Sequence, residues 1–107
     1  MVKISILYPK TNDSRFDLDY YLHTHMPTSI GLLSTHKGFR SVSVEHGIGG
    51  DTPGSEPMYV ALCHYSFDSM EDFLAAYGPH ADALQKDMPN FTDVRPVIQV
   101  SAVVITK

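Results

Sequence analysis

From residue 2 to residue 8 apolar and polar side chains nearly alternate, with Val2, Ile4, Ile6 and Tyr8 set against Lys3, Ser5 and Leu7, and Pro9 closes the run. A period of two predicts a first strand. Polar residues follow as far as Arg15. Then Phe16, Leu18, Tyr21, Leu22, His25 and Met26 recur at spacings of three and four, behind Ser14 and Asp17, either of which suits an N-cap. This predicts the first helix. Pro27 disfavours helical geometry at Met26 and removes one backbone donor, so a break or kink is expected there before the helix resumes through Ile30, Leu32 and Leu33. After Gly38, residues 39–46 alternate again as a second strand, and the Gly- and Pro-rich residues 47–57 form a loop without period, expected to be mobile. Residues 58–67 make a third strand. Asp68 with Glu71, or Ser69 with Asp72, supplies a capping pattern for a second helix carrying Met70, Phe73, Leu74 and Tyr77. Gly78 and Pro79 interrupt it before a short piece bearing Ala81, Leu84 and Met88, and residues 94–105 close the chain as a fourth strand.

The order β-α-β-β-α-β predicts an α+β domain of ferredoxin-like type, four antiparallel strands with both helices on one face. Both alternating sets of the third strand are largely apolar, and the fourth is nearly continuous in apolar residues. Two helices cover only one sheet face, and a bare apolar face exceeds what monomers usually expose. A homodimer is therefore expected, its sheets face to face as a dimeric α/β barrel.

At 107 residues, 43% of them hydrophobic and 19% charged, the chain fits one packed domain spanning 1–107. The formal charge of −4, with no basic run, argues against nucleic acid as a partner. The longest apolar stretch, near residues 97–105, is about half the roughly 20 residues that a membrane span needs. The first residues lack the pattern of a signal peptide, and the one cysteine, Cys63, cannot form an intrachain disulfide, so a cytoplasmic location is expected.

The densest chemistry lies between Phe16 and Pro27. Tyr21 and His25 are four apart and share the apolar helical face of Leu18 and Leu22, which implies an imidazole turned toward the core. Such an imidazole can take and give protons, with Tyr21 orienting it or donating to a developing oxyanion. Alternatively, His25 merely satisfies carbonyls freed at Pro27. His23 and His25 are two apart and face different sides of a helix, so no metal site is expected. His23, Asp19 and Tyr20 are expected on the solvated or dimer-rim face. His80, beside Gly78-Pro79, is a second acid candidate or a plain surface histidine. His64, Tyr8, Tyr65, Phe73, Tyr77 and Phe91 are the candidates for lining a ligand cavity, or simply core. The glycines after His46 lack a phosphate-loop lysine, no serine nucleophile elbow is present, and Cys63 has no evident base partner.

The stretch Phe16-Asp17, Tyr20-Tyr21 and His25-Met26-Pro27, together with Asp87 and Asn90-Phe91-Thr92-Asp93, resembles the EthD (ethyl tert-butyl ether degradation) family of the dimeric α/β barrel superfamily. The resemblance spans nearly the whole chain and implies that family's fold, dimer and pocket, with His25 and Tyr21 as its site pair. Superfamily relatives include cofactor-independent monooxygenases, lactone isomerases, polyketide cyclases and decarboxylases, and haem-binding enzymes, so fold does not choose among them. The chain has no Trp, a departure from haem-degrading relatives that use one. The expectation is a cofactor-independent small-molecule enzyme doing acid/base chemistry on a hydrophobic metabolite. The alternative is a non-catalytic accessory or binding protein of a degradation pathway.

Overall fold

A computed structural model describes residues 1–107. Four strands, β1 (Val2–Pro9), β2 (Phe39–His46), β3 (Tyr59–Phe67) and β4 (Val97–Ala102), form one antiparallel sheet in the order β2-β3-β1-β4. This is the ferredoxin-like α+β arrangement expected from the element order. The helical layer comprises α1 (Leu18–Tyr20), a π-helical segment (Tyr21–His25) and α2 (Met26–Leu33), then α3 (Met70–Tyr77) and α4 (Ala81–Asp87) joined by a 3₁₀ turn at Gly78–His80. A second 3₁₀ turn, Met88–Asn90, follows α4. Asp17 caps α1 by accepting from the Tyr20 amide at 3.1 Å, and Ser69 caps α3 by accepting from the Asp72 amide at 3.1 Å.

Pro27 does not break the helix. The turn before it widens into the π form, in which the Met26 amide bonds the Tyr21 carbonyl five residues back. A proline ring inside an α-helix collides with the carbonyl four residues earlier, and a wider turn relieves that collision. Helical conformation thus continues from Leu18 to Leu33, and His25 stays in the wall of the core.

One sheet face, carrying Ile4, Tyr8, Ala61, Cys63, Tyr65 and Phe67, is buried beneath the helices. The outer face departs from the expected apolar surface. The registers place Leu7, Val60, Leu62 and Val97 there, but among Lys3, Ser5, Ser43, Glu45, His64, Gln99 and Ser101. Strand patterns taken singly do not say which alternating set shares a face with which, and β1 and β2 supply polar residues to this side. Strand β4 is also shorter than expected. Ala102 lies opposite Val2, where β1 begins; beyond it only the Val103 amide still bonds, to the Met1 carbonyl at 3.1 Å, and Val104 and Ile105 are exposed. The loop between β2 and β3 is tied internally by bonds between Gly50 and Ser55 and outward by the Lys10 amide to the Met58 carbonyl, with Gly54 at φ +81° where an L side chain is strained. No helix is long and apolar enough to cross a membrane.

Candidate active site

Between the sheet and the helices lies a cavity of about 630 Å³. Ile4, Cys63 and Val100 form its sheet side and Met26, Phe73 and Leu84 its helix side. Of the residues singled out from sequence, His25, Tyr21, Tyr8, Tyr65, Phe73 and Tyr77 line it. Three others do not. His64 is on the outer sheet face, because β3 alternates and Cys63 and Tyr65 take the inner side; there its Nδ1 meets the Ser5 hydroxyl at 2.8 Å and its Nε2 lies 3.4 Å from Glu45. His80 ends the 3₁₀ turn, half-buried and off the cavity wall. Phe91 is fully buried behind His25, at 4.5 Å between ring centroids, and supports the imidazole from the far side of the cavity wall.

His25 ends the π-helical segment and is 7% exposed. Its ring stacks on Tyr21, with centroids 6.1 Å apart and planes 16° apart. Its Nδ1 lies 2.8 Å from Oδ2 of Asp87, which arrives from the end of α4. A carboxylate only accepts, so the proton belongs on Nδ1, and Nε2 is left without a protein partner. The other Asp87 oxygen accepts from the Tyr20 hydroxyl at 2.6 Å and from the Asn90 amide at 2.9 Å. Partial burial works against the charge of Asp87, yet the bonds from Tyr20, His25 and Asn90 and the nearby imidazole hold its carboxyl below the usual carboxylate range.

Backbone stitches bring these distant segments together. The Asp17 amide donates to the Phe91 carbonyl at 2.7 Å, the Thr92 hydroxyl to the Arg15 carbonyl at 2.8 Å, and the Arg15 amide to Asp93 at 2.8 Å. They fasten the start of α1 to the segment after α4, and thereby set Tyr20 and His25 against Asp87. Around them Tyr8, Phe16, Tyr21 and Phe91 form a cluster with centroids 5.1–5.9 Å apart, edge-to-face except for the tilted Tyr21–Phe91 pair.

The Tyr21 hydroxyl is buried without any hydrogen-bond partner. Burial first, then the neighbouring Cys63, Tyr8, Tyr65 and Glu45, push its phenol well above the ordinary range, so it stays a neutral donor. By contrast, the Tyr65 and Ser29 hydroxyls satisfy one another at 2.7 Å. Cys63 is buried, and its thiol is pushed up to about 12, chiefly by that burial. It is inert packing rather than a nucleophile.

Asp87, Asn90 and Tyr20 are among the residues that carry the family resemblance, yet the sequence reading gave them no role in the site. Tyr20, expected on the solvated or dimer-rim face, turns its hydroxyl to Asp87. The available signal is the spacing of Asp87, Asn90 and Phe91, which sets all three on one side of a helical end. His23 and His25 diverge, the former meeting its own helix at the Asp19 carbonyl at 3.0 Å.

Fold and site together define a ferredoxin-like domain with a partly open cavity between sheet and helices and a carboxylate-held histidine on its wall. The EthD domain matches residues 10–95, and the chain belongs to that family. An EthD-like protein from Ralstonia eutropha JMP134 is 37% identical, over 99% of this chain and 94% of that one, with a TM-score of 0.89. An EthD family protein from Bacillus halodurans C-125 is 24% identical, covering 95% of this chain and 97% of that one, at a TM-score of 0.68. A dimeric ferredoxin-like protein from Bacteroides fragilis NCTC 9343 shares the fold alone, at 15% identity, coverage of 94% and 93%, and a TM-score of 0.55. No curated protein matches the chain.

Proposed function

We propose that this protein is a small-molecule enzyme that moves a proton at His25 on a hydrophobic metabolite bound in the sheet–helix cavity. The observation that carries this reading is the Asp87–His25 pair. The carboxylate fixes the Nδ1–H tautomer and supports the charge that the ring acquires, while Nε2 remains for the substrate. A merely structural histidine needs neither a wall position nor an acceptor itself held by Tyr20 and Asn90. Tyr21 would donate to the oxygen on which negative charge gathers, since its hydroxyl is neutral and otherwise unpartnered. Imidazole and phenol suffice for proton transfer, so the reading calls for no metal or organic cofactor. Isomerisation, cyclisation and cofactor-independent oxygenation begin with removal of such a proton, and decarboxylation ends with its delivery to the carbanion that loss of CO₂ leaves.

The working form is proposed to be a homodimer. Strand β4 lies at the sheet edge with Val97, Ile98 and Val100 about half exposed, and Leu7, Val60 and Leu62 lie on the uncovered face. The dimeric protein of B. fragilis has the same fold. Light scattering should give a mass about twice 11.9 kDa.

The test of function is a thermal-shift screen of small apolar metabolites on wild type and His25→Ala, with turnover measured on each hit. Turnover by wild type that falls by about 10² to 10⁴ in the variant, with the dimer intact, is expected. Undiminished turnover in His25→Ala, or hits that bind without reacting, would favour a binding or accessory role.

A further inference from the structure

The cavity wall is mostly apolar; the Tyr8 and Tyr21 hydroxyls make no hydrogen bond, and the other neutral polar side chains are committed within the protein. Ser29 and Tyr65 bond each other, Gln85 donates to Tyr77 at 3.1 Å, and His25 is held by Asp87. Arg95 is different. It is the one Lys or Arg on the wall, no Asp or Glu lines the cavity, and its guanidinium makes no ion pair or hydrogen bond within the protein. Elsewhere Lys10 is matched to Glu56, Arg40 to Asp68 and Arg15 to the Pro89 carbonyl, while Lys3, Lys37, Lys86 and Lys107 have no partner but lie off the cavity wall.

The backbone also fixes where Arg95 sits. Pro96, itself on the wall, restricts the chain, and Val97 opposite Leu7 begins the ladder of β4. Arg95, exposed to solvent, is thus held by its backbone at the rim of an apolar cavity, in a chain whose net charge is −4. A planar fork of donors suits a carboxylate, which it binds through two parallel hydrogen bonds. We infer that the cavity takes an apolar acid, a hydrocarbon or aromatic body against Tyr8, Phe73 and Leu84 with its carboxylate on Arg95. This rests on the proposal that the cavity is a ligand site, and adds the substrate's charge class. Arg95 acts here in binding and selection; the proton transfer stays with His25.

Two probes of nearly one shape, 1-naphthoate and 1-naphthamide, separate charge from packing. Each is titrated against wild type, Arg95→Gln and Arg95→Lys, with the His25 Cε1–H resonance reporting occupancy of the cavity. Wild type should bind naphthoate about tenfold more tightly than naphthamide, the size of one charge-assisted contact. In Arg95→Gln the ratio should fall to about one with naphthamide affinity unchanged, and Arg95→Lys should retain part of the preference. Equal or reversed affinities in wild type, or a preference that survives in Arg95→Gln, overturn the inference. If the His25 resonance still moves with either probe, the cavity reading stands. Failure of both probes to bind wild type or move that resonance overturns the cavity reading and this inference together.

Discussion

Replacing Tyr21 by Phe removes one oxygen from the core and leaves the ring. That ring packs on Tyr8 at 5.6 Å, Phe16 at 5.1 Å and Phe91 at 5.2 Å, and stacks on His25. None of these contacts depends on the hydroxyl, which is buried and has no partner. A buried hydroxyl left unpaired costs about 1–3 kcal/mol relative to water. Removing it leaves only an oxygen-sized void, so the free protein should gain about 1 kcal/mol. For a domain of this length that corresponds to a rise in Tm of roughly 4–8 °C. Urea unfolding followed by circular dichroism, at one fixed protein concentration because association would shift the midpoint, measures the difference. The same substitution should weaken binding of any ligand whose oxygen takes the Tyr21 hydrogen bond. A stability loss of about 1 kcal/mol or more in Tyr21→Phe would refute the reasoning, since the hydroxyl would then have to be satisfied in the free protein.

Asp87 has a folded-state pKa below the ordinary value of 3.8, because its hydrogen bonds outweigh its burial. Its ionised form therefore stabilises the fold above about pH 4, and that contribution is lost as pH falls through the lowered value. The stability gap between wild type and Asp87→Asn should shrink as pH falls below about 4; a gap that widens there on acidification would contradict this. Cys63, with its thiol pushed up to about 12 and its side chain buried, should resist iodoacetamide at pH 8 until the protein unfolds, so fast labelling of the native state would be the contrary result. His64→Ala changes the outer sheet face only, and ligand affinity in the cavity should stay within about twofold of wild type. A tenfold loss would mean that the two faces are coupled.

The element order was legible because each strand and helix carries its own period, from the alternation of Val2, Ile4, Ile6 and Tyr8 to the spacing of Phe73, Leu74 and Tyr77. His25 and Tyr21 could be paired from helical spacing alone. The partner of His25 could not, because Asp87 is 62 residues away and reaches it only through the stitches between Arg15–Asp17 and Phe91–Asp93. Pro27 disturbs the helix where expected but does not break it, because a π turn absorbs the ring without ending the helix, and local rules about proline do not anticipate that. The side taken by His64 depends on register across three strands. Its neighbours Val60 and Leu62 gave no sign that Ser5 and Glu45 would stand beside it. Strand β4 ran long in the sequence because Val103, Val104 and Ile105 continue its apolar character, whereas its true end is set by where β1 begins.

The central claim, that His25 moves a proton at the cavity wall, can be tested without knowing the reaction. The protein is incubated in D₂O with a mixed set of small apolar acids bearing activated C–H bonds, and deuterium uptake is followed by mass spectrometry. Wild type should exchange at least one of them. His25→Ala should lower that rate by about 10² to 10⁴, with Asp87→Asn intermediate. Exchange that proceeds equally in wild type and His25→Ala, or none by wild type in compounds that it demonstrably binds, would contradict the claim.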